Sequence, residues 1–512
     1  MRGPFNHDAP RPVAAAAFAL AFALVLVVIG APLAAAQDTG AADAAPKRAL
    51  TLAECLAIAR KGSLDILSKA HSYEKTRLDL SSARAAFLPS FSGSASRNNE
   101  TATDSASVSV SQSTPWGTTL SGSISNDHDT GGSSSSASLT ISQPLLAGAG
   151  TVDGLAALRE ADLALDAERA RFERVLQDVF HNVRRQYYEA QRQLATIDVR
   201  RSAVDRAARL LEEAAFKRER GLVTVLDYSN AAIQHADREA ALVSARRSLE
   251  DSLDDLKVAL NLPLETAITV TPVELDLDKE IVVDADRGTV SVVEGRDAAP
   301  GQRPRTRPIF VPVKRDYEQT VERALARRPD LAAARIELNS SEIDAARKRR
   351  NRLPDLDFSA TLNASGSGTG FDESMTLEDD GWKLSLSATW PLGRVARGVA
   401  HEKALLDLEL ERISLERELI GLRKELRGLF RQLDESEANM LTYARKIKAA
   451  ALGLESARIR KERGQTSYWE LTTRESELVD AQTSFINGYL EYQKRLAALE
   501  RASGTPPDWG DE

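Results

Sequence analysis

Between Leu145 and Asn261 the chain runs without a proline, and after Gly154 its one glycine is Gly221. Apolar residues fall at helical spacing there: Val175, Val179, Val183 and Tyr187, with Leu176 and Phe180 beside them. A helix over 151–218 would be roughly 100 Å long at ~1.5 Å per residue, a rod no compact domain needs. A second proline-free run, Leu392 to Thr505, repeats the design, and the turn Arg220-Gly221 recurs as Arg463-Gly464. The spacing predicts two long helical hairpins.

Composition fits narrow helix seams better than thick cores: of 512 residues, 5 % are aromatic and 28 % charged. The net charge of −8 comes with no basic stripe, which argues against nucleic acid as a partner. A lone cysteine, Cys55, excludes a disulfide framework and a cysteine-clustered zinc site. The six histidines are scattered singly, so no metal or cofactor site is expected. At the amino terminus, Arg2 and Arg11 precede an apolar run from Val13 to Ile29, and Ala34-Ala35-Ala36 precedes Gln37. Residues 1–36 read as a cleaved export signal, with an uncleaved anchor as the alternative. Leu52-Ala53-Glu54-Cys55 resembles a lipoprotein box, but glutamate before the cysteine argues against it. No later segment is apolar enough for a spanning helix, so any membrane part must be built from strands.

Thr51-Leu52-Ala53-Glu54 is a capping box opening a helix that Gly62-Ser63 breaks; a second helix follows to about Phe87, ended by Leu88-Pro89. Residues 90–143 are rich in serine, and apolar residues alternate with small polar ones: Val108 and Val110, Leu120 and Ile124, Leu139 and Ile141. Period two predicts strands near 90–97, 106–113, 117–125 and 136–143, with long polar joins at 98–105 and 126–135 and a short turn at Thr114-Pro115-Trp116-Gly117. That pattern is a transmembrane barrel's; a low-complexity linker is the alternative. Residues 263–315, with short β-like pieces and a proline-rich link through Pro300, Pro304, Pro308 and Pro312, read as a surface connection.

The chain then starts again. Asp316-Tyr317-Glu318-Gln319 repeats the capping logic, Leu353-Pro354 parallels Leu88-Pro89, and strands are expected near 355–363 and 382–390. Ser385-Leu386-Ser387-Ala388-Thr389-Trp390-Pro391-Leu392 matches Ser138-Leu139-Thr140-Ile141-Ser142-Gln143-Pro144-Leu145 position by position, which marks an internal repeat. In the second long helix Leu415, Leu422 and Leu429 lie seven apart, with Leu419, Leu426 and Leu433 as the matching set of a supercoiled seam. The expected units are 37–262, 263–315, 316–503 and a tail, 504–512. The fold class is mainly α with a β-barrel membrane part.

This doubled order of helix, Leu-Pro, strands, Gln-Pro-Leu or Trp-Pro-Leu, long helix, Arg-Gly turn and returning helix resembles the outer membrane efflux protein family of TolC-like channels. The resemblance covers essentially the whole mature sequence. It implies a homotrimer whose subunits share one barrel in outer membrane lipid and whose helices form a periplasmic tunnel. A periplasmic adaptor (membrane fusion) protein and an inner-membrane pump are its implied partners, in tripartite efflux or type I secretion. The family usually has two strands per repeat; four candidates here leave twelve or eighteen strands open. The segment Phe216 to Asp227 matches the family's hairpin tip, and Ile459 to Glu470 is its twin. The resemblance implies adaptor docking at Arg218, Gly221, Leu222, Arg463 and Gly464, and a periplasmic gate at Asp227, Lys461 and Glu470. Where the family's acidic ring continues, this chain has Thr473, and the family's gate tyrosine and arginine fall on Lys461 and Thr466. A Lys461–Asp227 salt bridge is expected in their place, with Glu470 raised in pKa by its own copies across a trimer axis. The other class of function that long hairpins admit is a periplasmic coiled-coil adaptor; no constellation supports an enzyme. The cargo stays open.

Overall fold

The computed structural model describes residues 48–98, 103–129, 131–277, 279–294, 305–390, 395–463 and 465–506. The export signal expected at 1–36, Gly464 and most of the tail lie outside the described residues.

The chain opens with β1 (Arg48–Leu50), then α1 (Leu52–Gly62) and α2 (Leu64–Ala85). The capping box is complete: the Thr51 hydroxyl accepts from the Glu54 N–H (3.3 Å), and the Glu54 carboxylate accepts from the Thr51 N–H (2.8 Å). After the strands come α3 (Gly150–Gly154), α4 (Ala156–Glu219) and α5 (Val225–Leu260). With 64 residues, α4 is about 96 Å long at helical rise. Helix α2 lies against one stretch of it and α5 against another, and the Asn261 side chain donates to the Gly62 carbonyl (3.0 Å) to tie α5 to the end of α1. A core of Leu50, Leu56, Val183, Tyr187, Leu256, Leu260 and Val270 fills the joint. Cys55 is buried in it, and burial pushes its thiol up to about 12, so the one cysteine is an inert core residue.

The second half repeats the plan with α6 (Tyr317–Arg327), α7 (Pro329–Arg350), α9 (Val395–Glu462) and α10 (Tyr468–Ala502); α8 is a single turn, Phe371–Ser374. Leu422, Leu426 and Leu433 are buried, with Leu415, Leu419 and Leu429 packed partly around them, so the seven-residue seam is a core seam. Burying one such leucine contributes about 1.5–3 kcal/mol. The helices form a single layer in the order α2–α4–α7–α9 at the sheet end and α5–α4–α10–α9 at the tip end. Ion pairs stitch the two halves: Arg174 to Asp330 (3.1 Å), Arg501 to Asp178 (2.9 Å), Arg184 to Glu500 and Lys494 to Glu189. Burial would raise the Glu189 carboxyl, but hydrogen bonds from Arg192 and Lys494 hold it at about 2.

Residues 263–315 correct the expectation of a surface connection. Strand β6 (Ile268–Val270) pairs parallel with β1, and β7 (Ile281–Asp284), β8 (Thr289–Glu294) and β9 (Arg305–Phe310) form an antiparallel sheet. Ile281, Val290, Val292 and Phe310 turn inward onto the α9 seam, and the Tyr492 hydroxyl accepts the Val313 N–H (3.0 Å) and donates to the Glu437 carboxylate (3.3 Å). Alternating β-branched residues form a buried face here, which the flanking prolines obscured.

Strands β2 (Ser90–Asn98), β3 (Thr103–Ser113), β4 (Thr119–Asp129), β5 (Gly132–Pro144), β10 (Asp355–Gly368) and β11 (Asp379–Thr389) make one antiparallel sheet in the order β11-β10-β5-β4-β3-β2. Phe91, Val110, Gly122, Leu139, Leu362 and Trp382 stand in one row across all six strands. The opposite face is a ladder of hydroxyls: Ser92 to Ser109 (2.7 Å), Ser123 to Ser138 (2.8 Å), Ser359 to Ser385 (2.6 Å). The long polar join expected at 126–135 is strand over 126–129 and 132–135: β4 and β5 pair out to Asp129 and Gly132. Ser125 and Ser136 continue the hydroxyl ladder (2.8 Å), and on the other face Asn126 donates to the Ser133 and Ser135 hydroxyls (both 2.8 Å), so polar residues extend the pairing rather than ending it. Of 98–105, Asn98 and 103–105 are strand, and the rest lies outside the described residues. Among the described residues no helix is long and apolar enough to cross a membrane, which says nothing of this sheet.

Candidate functional site

The ends of the hairpins farthest from the sheet are twin turns built by the same local rules. At the first, Gly221 takes φ +70°, its N–H bonds to the Arg218 carbonyl (2.9 Å), and the Leu222 N–H reaches back to Lys217 (2.9 Å). This six-to-one closure is how a helix ends on a left-handed residue. At the second, the Gln465 N–H reaches the Arg460 carbonyl (2.9 Å) in the equivalent place. Each returning helix is then capped: Thr224 accepts from the Asp227 N–H (3.1 Å), and Ser467 from the Glu470 N–H (3.3 Å).

These caps decide what the expected gate residues do within the chain. Asp227 is the third residue of α5, and its carboxylate accepts from the Thr224 hydroxyl (2.7 Å). It is thereby spent on its own cap. Lys461 pairs instead with Glu213 of the first hairpin, Nζ to Oε2 3.2 Å, and Glu213 also holds Lys217 (2.6 Å). The expected Lys461–Asp227 bridge is therefore replaced within the protomer by Lys461–Glu213. Burial pulls the Lys461 ammonium below its usual range, and Glu213 opposes that pull. Within the protomer Glu470 is held by the Thr466 hydroxyl and by Arg460 (2.6 Å), which lower its carboxyl. Thr466, where the family has its arginine, thus acts as a partner of the neighbouring acid.

Sequence reasoning missed Glu213, although its i,i+4 spacing to Lys217 was a signal. It also missed Glu475, which is largely covered where the hairpins meet, near Arg206, Arg238 and Arg458 (3.9 Å). Burial raises its carboxyl against those cations. Only the tertiary fold brings these four together.

Around the turns, apolar side chains stand in solvent: Phe216, Leu222, Val225, Leu226 and Trp469 are all more than half exposed. Arg218 stacks on Tyr228 (3.9 Å to the ring centre) and Arg220 on Phe216 (3.7 Å). Arg463, at the other tip, is exposed. The tips thus pair greasy ridges with fixed positive charge, the composition of a protein-docking surface. Among the described residues no group of acidic, histidine or cysteine side chains could hold a metal ion.

Several solved structures share this fold. The outer membrane protein VceC of Vibrio cholerae superposes with a TM-score of 0.65 at 14 % identity, over 89 % of this chain and 97 % of that one. The MtrE outer membrane channel of Neisseria gonorrhoeae, described in its open state, gives 0.60 at 15 % identity over 90 % of each chain. The CmeC outer membrane channel of Campylobacter jejuni gives 0.59 at 16 %, over 90 % of this chain and 87 % of that one. A comparison of sequence with curated proteins gives no match. The family profile for outer membrane efflux proteins, however, matches residues 56–262 and 320–505, the two repeats. The chain belongs to the outer membrane efflux protein family, resident in the outer membrane and reaching into the periplasm.

Proposed function

We propose that three copies of this chain form a passive export duct, not an enzyme, with a barrel in the outer membrane and a helical tunnel crossing the periplasm. The observation that carries the reading is the state of the helical layer's two edges. At one edge α9 exposes Leu406, Leu410, Ile420 and Leu452; at the other, α2 and α5 expose Leu64, Leu78, Val243 and Val258. Two different apolar edges on one layer call for head-to-tail contacts, which leave no edge exposed if they close into a ring. The exposed apolar face of the sheet supports lipid as its surroundings, since a periplasmic adaptor would leave Phe91 and Trp382 in water. The tips, with Arg218, Gly221, Leu222, Arg463 and Gly464, would dock an adaptor that links the duct to an inner-membrane pump of an efflux or type I secretion system.

The gate is proposed at Lys461, Glu470 and Asp227, with the Lys461–Glu213 tie joining the two hairpins of each subunit. With the Glu213 carboxylate 40 % exposed, the pair contributes about 1 kcal/mol at most. Three copies reach about 3 kcal/mol, short of the about 5.5 kcal/mol that swings a two-state gate from mostly shut to mostly open. The ties bias the gate, and adaptor contact supplies the rest. Chemical crosslinking of the membrane-extracted protein tests the reading. A trimer is expected; a monomer in the soluble periplasmic fraction overturns it.

A further inference from the structure

The hairpin of β3 and β4 is wedged between β2 and β5 and is fully hydrogen-bonded on both sides. It carries the same two faces as its neighbours: Val108 and Ile124 on the apolar side, Ser107 and Ser123 on the hydroxyl side. Its turn is also built into the joint between sheet and helices. The Gly150 N–H donates to the Trp116 carbonyl (3.0 Å), and a Cβ on Gly154 would lie 2.3 Å from the Pro115 carbonyl oxygen. A Cβ on Gly117 would lie 2.6 Å from the Gly148 carbonyl oxygen. Only glycine permits such backbone contact.

The sheet ends on β2 and β11, each bonded on one side only. In lipid those open edges are untenable, because each unpaired backbone group costs several kcal/mol. Six strands alternate in direction, so β2 and β11 run antiparallel to one another. Copies can therefore join edge to edge with no change of direction.

We propose that the β2 edge of one copy pairs with the β11 edge of the next, so that the trimer closes an eighteen-stranded barrel that includes the β3–β4 hairpin. The proposal rests on the trimeric duct. Perimeters favour it. Eighteen strands ~4.8 Å apart and tilted ~40° give a barrel about 110 Å around, and twelve give about 75 Å. Four helices per copy, at ~8–10 Å between axes, give a tunnel of about 100–120 Å. The wider barrel meets the tunnel without a step. Its wall would be small hydroxyls interspersed with Asp127, Asp129, Asp355, Asp357, Asp379 and Lys383, which share the hydroxyl face, so the lumen would be acidic overall.

The test uses the full chain in outer membranes, where buried Cys55 gives a quiet background. Ser92→Cys is combined with cysteine at each of Lys383, Ser385 and Ser387 in turn, and oxidised. Covalent subunit ladders up to the trimer are expected for at least one pair. Single cysteines replacing Val108, Ile124, Ser107 and Ser123 are then spin-labelled. The first two should favour lipid-soluble oxygen and the last two a water-soluble nickel chelate, by about fivefold or more each way. A trimer that forms no ladder, or four labels equally open to the nickel chelate, overturns the eighteen-stranded barrel and leaves the duct standing. Absence of any trimer overturns the duct itself.

Discussion

The long helices α4 and α9 have 64 and 68 residues, and their returning partners α5 and α10 have 36 and 35. The two repeats thus agree in their arms to about one helical turn. In their strands they disagree by a factor of two, four against two. The difference shows where such a chain tolerates insertion. Arms from both repeats must reach one plane for their tips to work together, so a change in length displaces a tip by ~1.5 Å per residue. A barrel wall only needs each added strand paired. Two added strands return the chain to the same end of the sheet, so α4 still starts where it must. One added strand would reverse it.

The strongest way to break this comparison is to remove the inserted hairpin. Deleting residues 103–129 joins β2 to β5 and makes the repeats equal. The trimer should survive, with a barrel about a third narrower, since diameter grows with strand number. Exclusion of polyethylene glycols from the outer mouth measures this; an unchanged cutoff would place the hairpin outside the barrel wall. Next comes the buried seam that both arms depend on. Leu426→Ala in α9 and Leu256→Ala in α5 should each cost about 2–5 kcal/mol in thermal or denaturant unfolding, because both leucines are fully buried.

The tips give smaller effects that separate folding from docking. No atom lies within 4 Å of a Cβ built on Gly221, so Gly221→Val meets only backbone strain, about 1–3 kcal/mol at φ +70°. Export should fail while trimer and insertion persist. Gly221→Asn, which tolerates the left-handed region, should recover most of it. Lys461→Glu should raise conductance in planar bilayers, and adding Glu213→Lys should bring it back; Asp227→Lys should not. The tie should also weaken in acid. The Glu213 carboxyl sits below its ordinary 4.5, against burial, through Lys217 and Lys461. Its contribution is therefore present above that value and lost as pH falls through the lower folded one. Glu470 is lowered as well, by Thr466 and then Arg460. Block by divalent cations at a Glu470 ring should persist down to below pH 4.5 and weaken in Glu470→Gln. The smallest expected effects are the twin caps. Thr224→Ala and Ser467→Ala should each cost about 1 kcal/mol locally, read by hydrogen exchange in the first turns of α5 and α10. Unequal losses would show that the tips are not equivalent.

The sequence by itself determined the helical arms, because an unbroken 3.6-residue pattern without proline leaves a chain no other regular structure. It determined the capping box at Thr51, the tip turn at Gly221 and the strand faces, since each depends on residues a few positions apart. The repeat made the family legible for the same reason: local signals recurred in one order. Tertiary structure decided what depends on distant neighbours. Whether Ser125 and Asn126 end a strand or extend it turned on the hydroxyls of Ser136 and Ser133 across the ladder. Whether 263–315 lay on the surface turned on the α9 seam that Val290 and Phe310 cover. The partner of Lys461 was out of reach of any pattern, because Glu213 lies 248 positions away and meets it only when two 100 Å rods pack side by side.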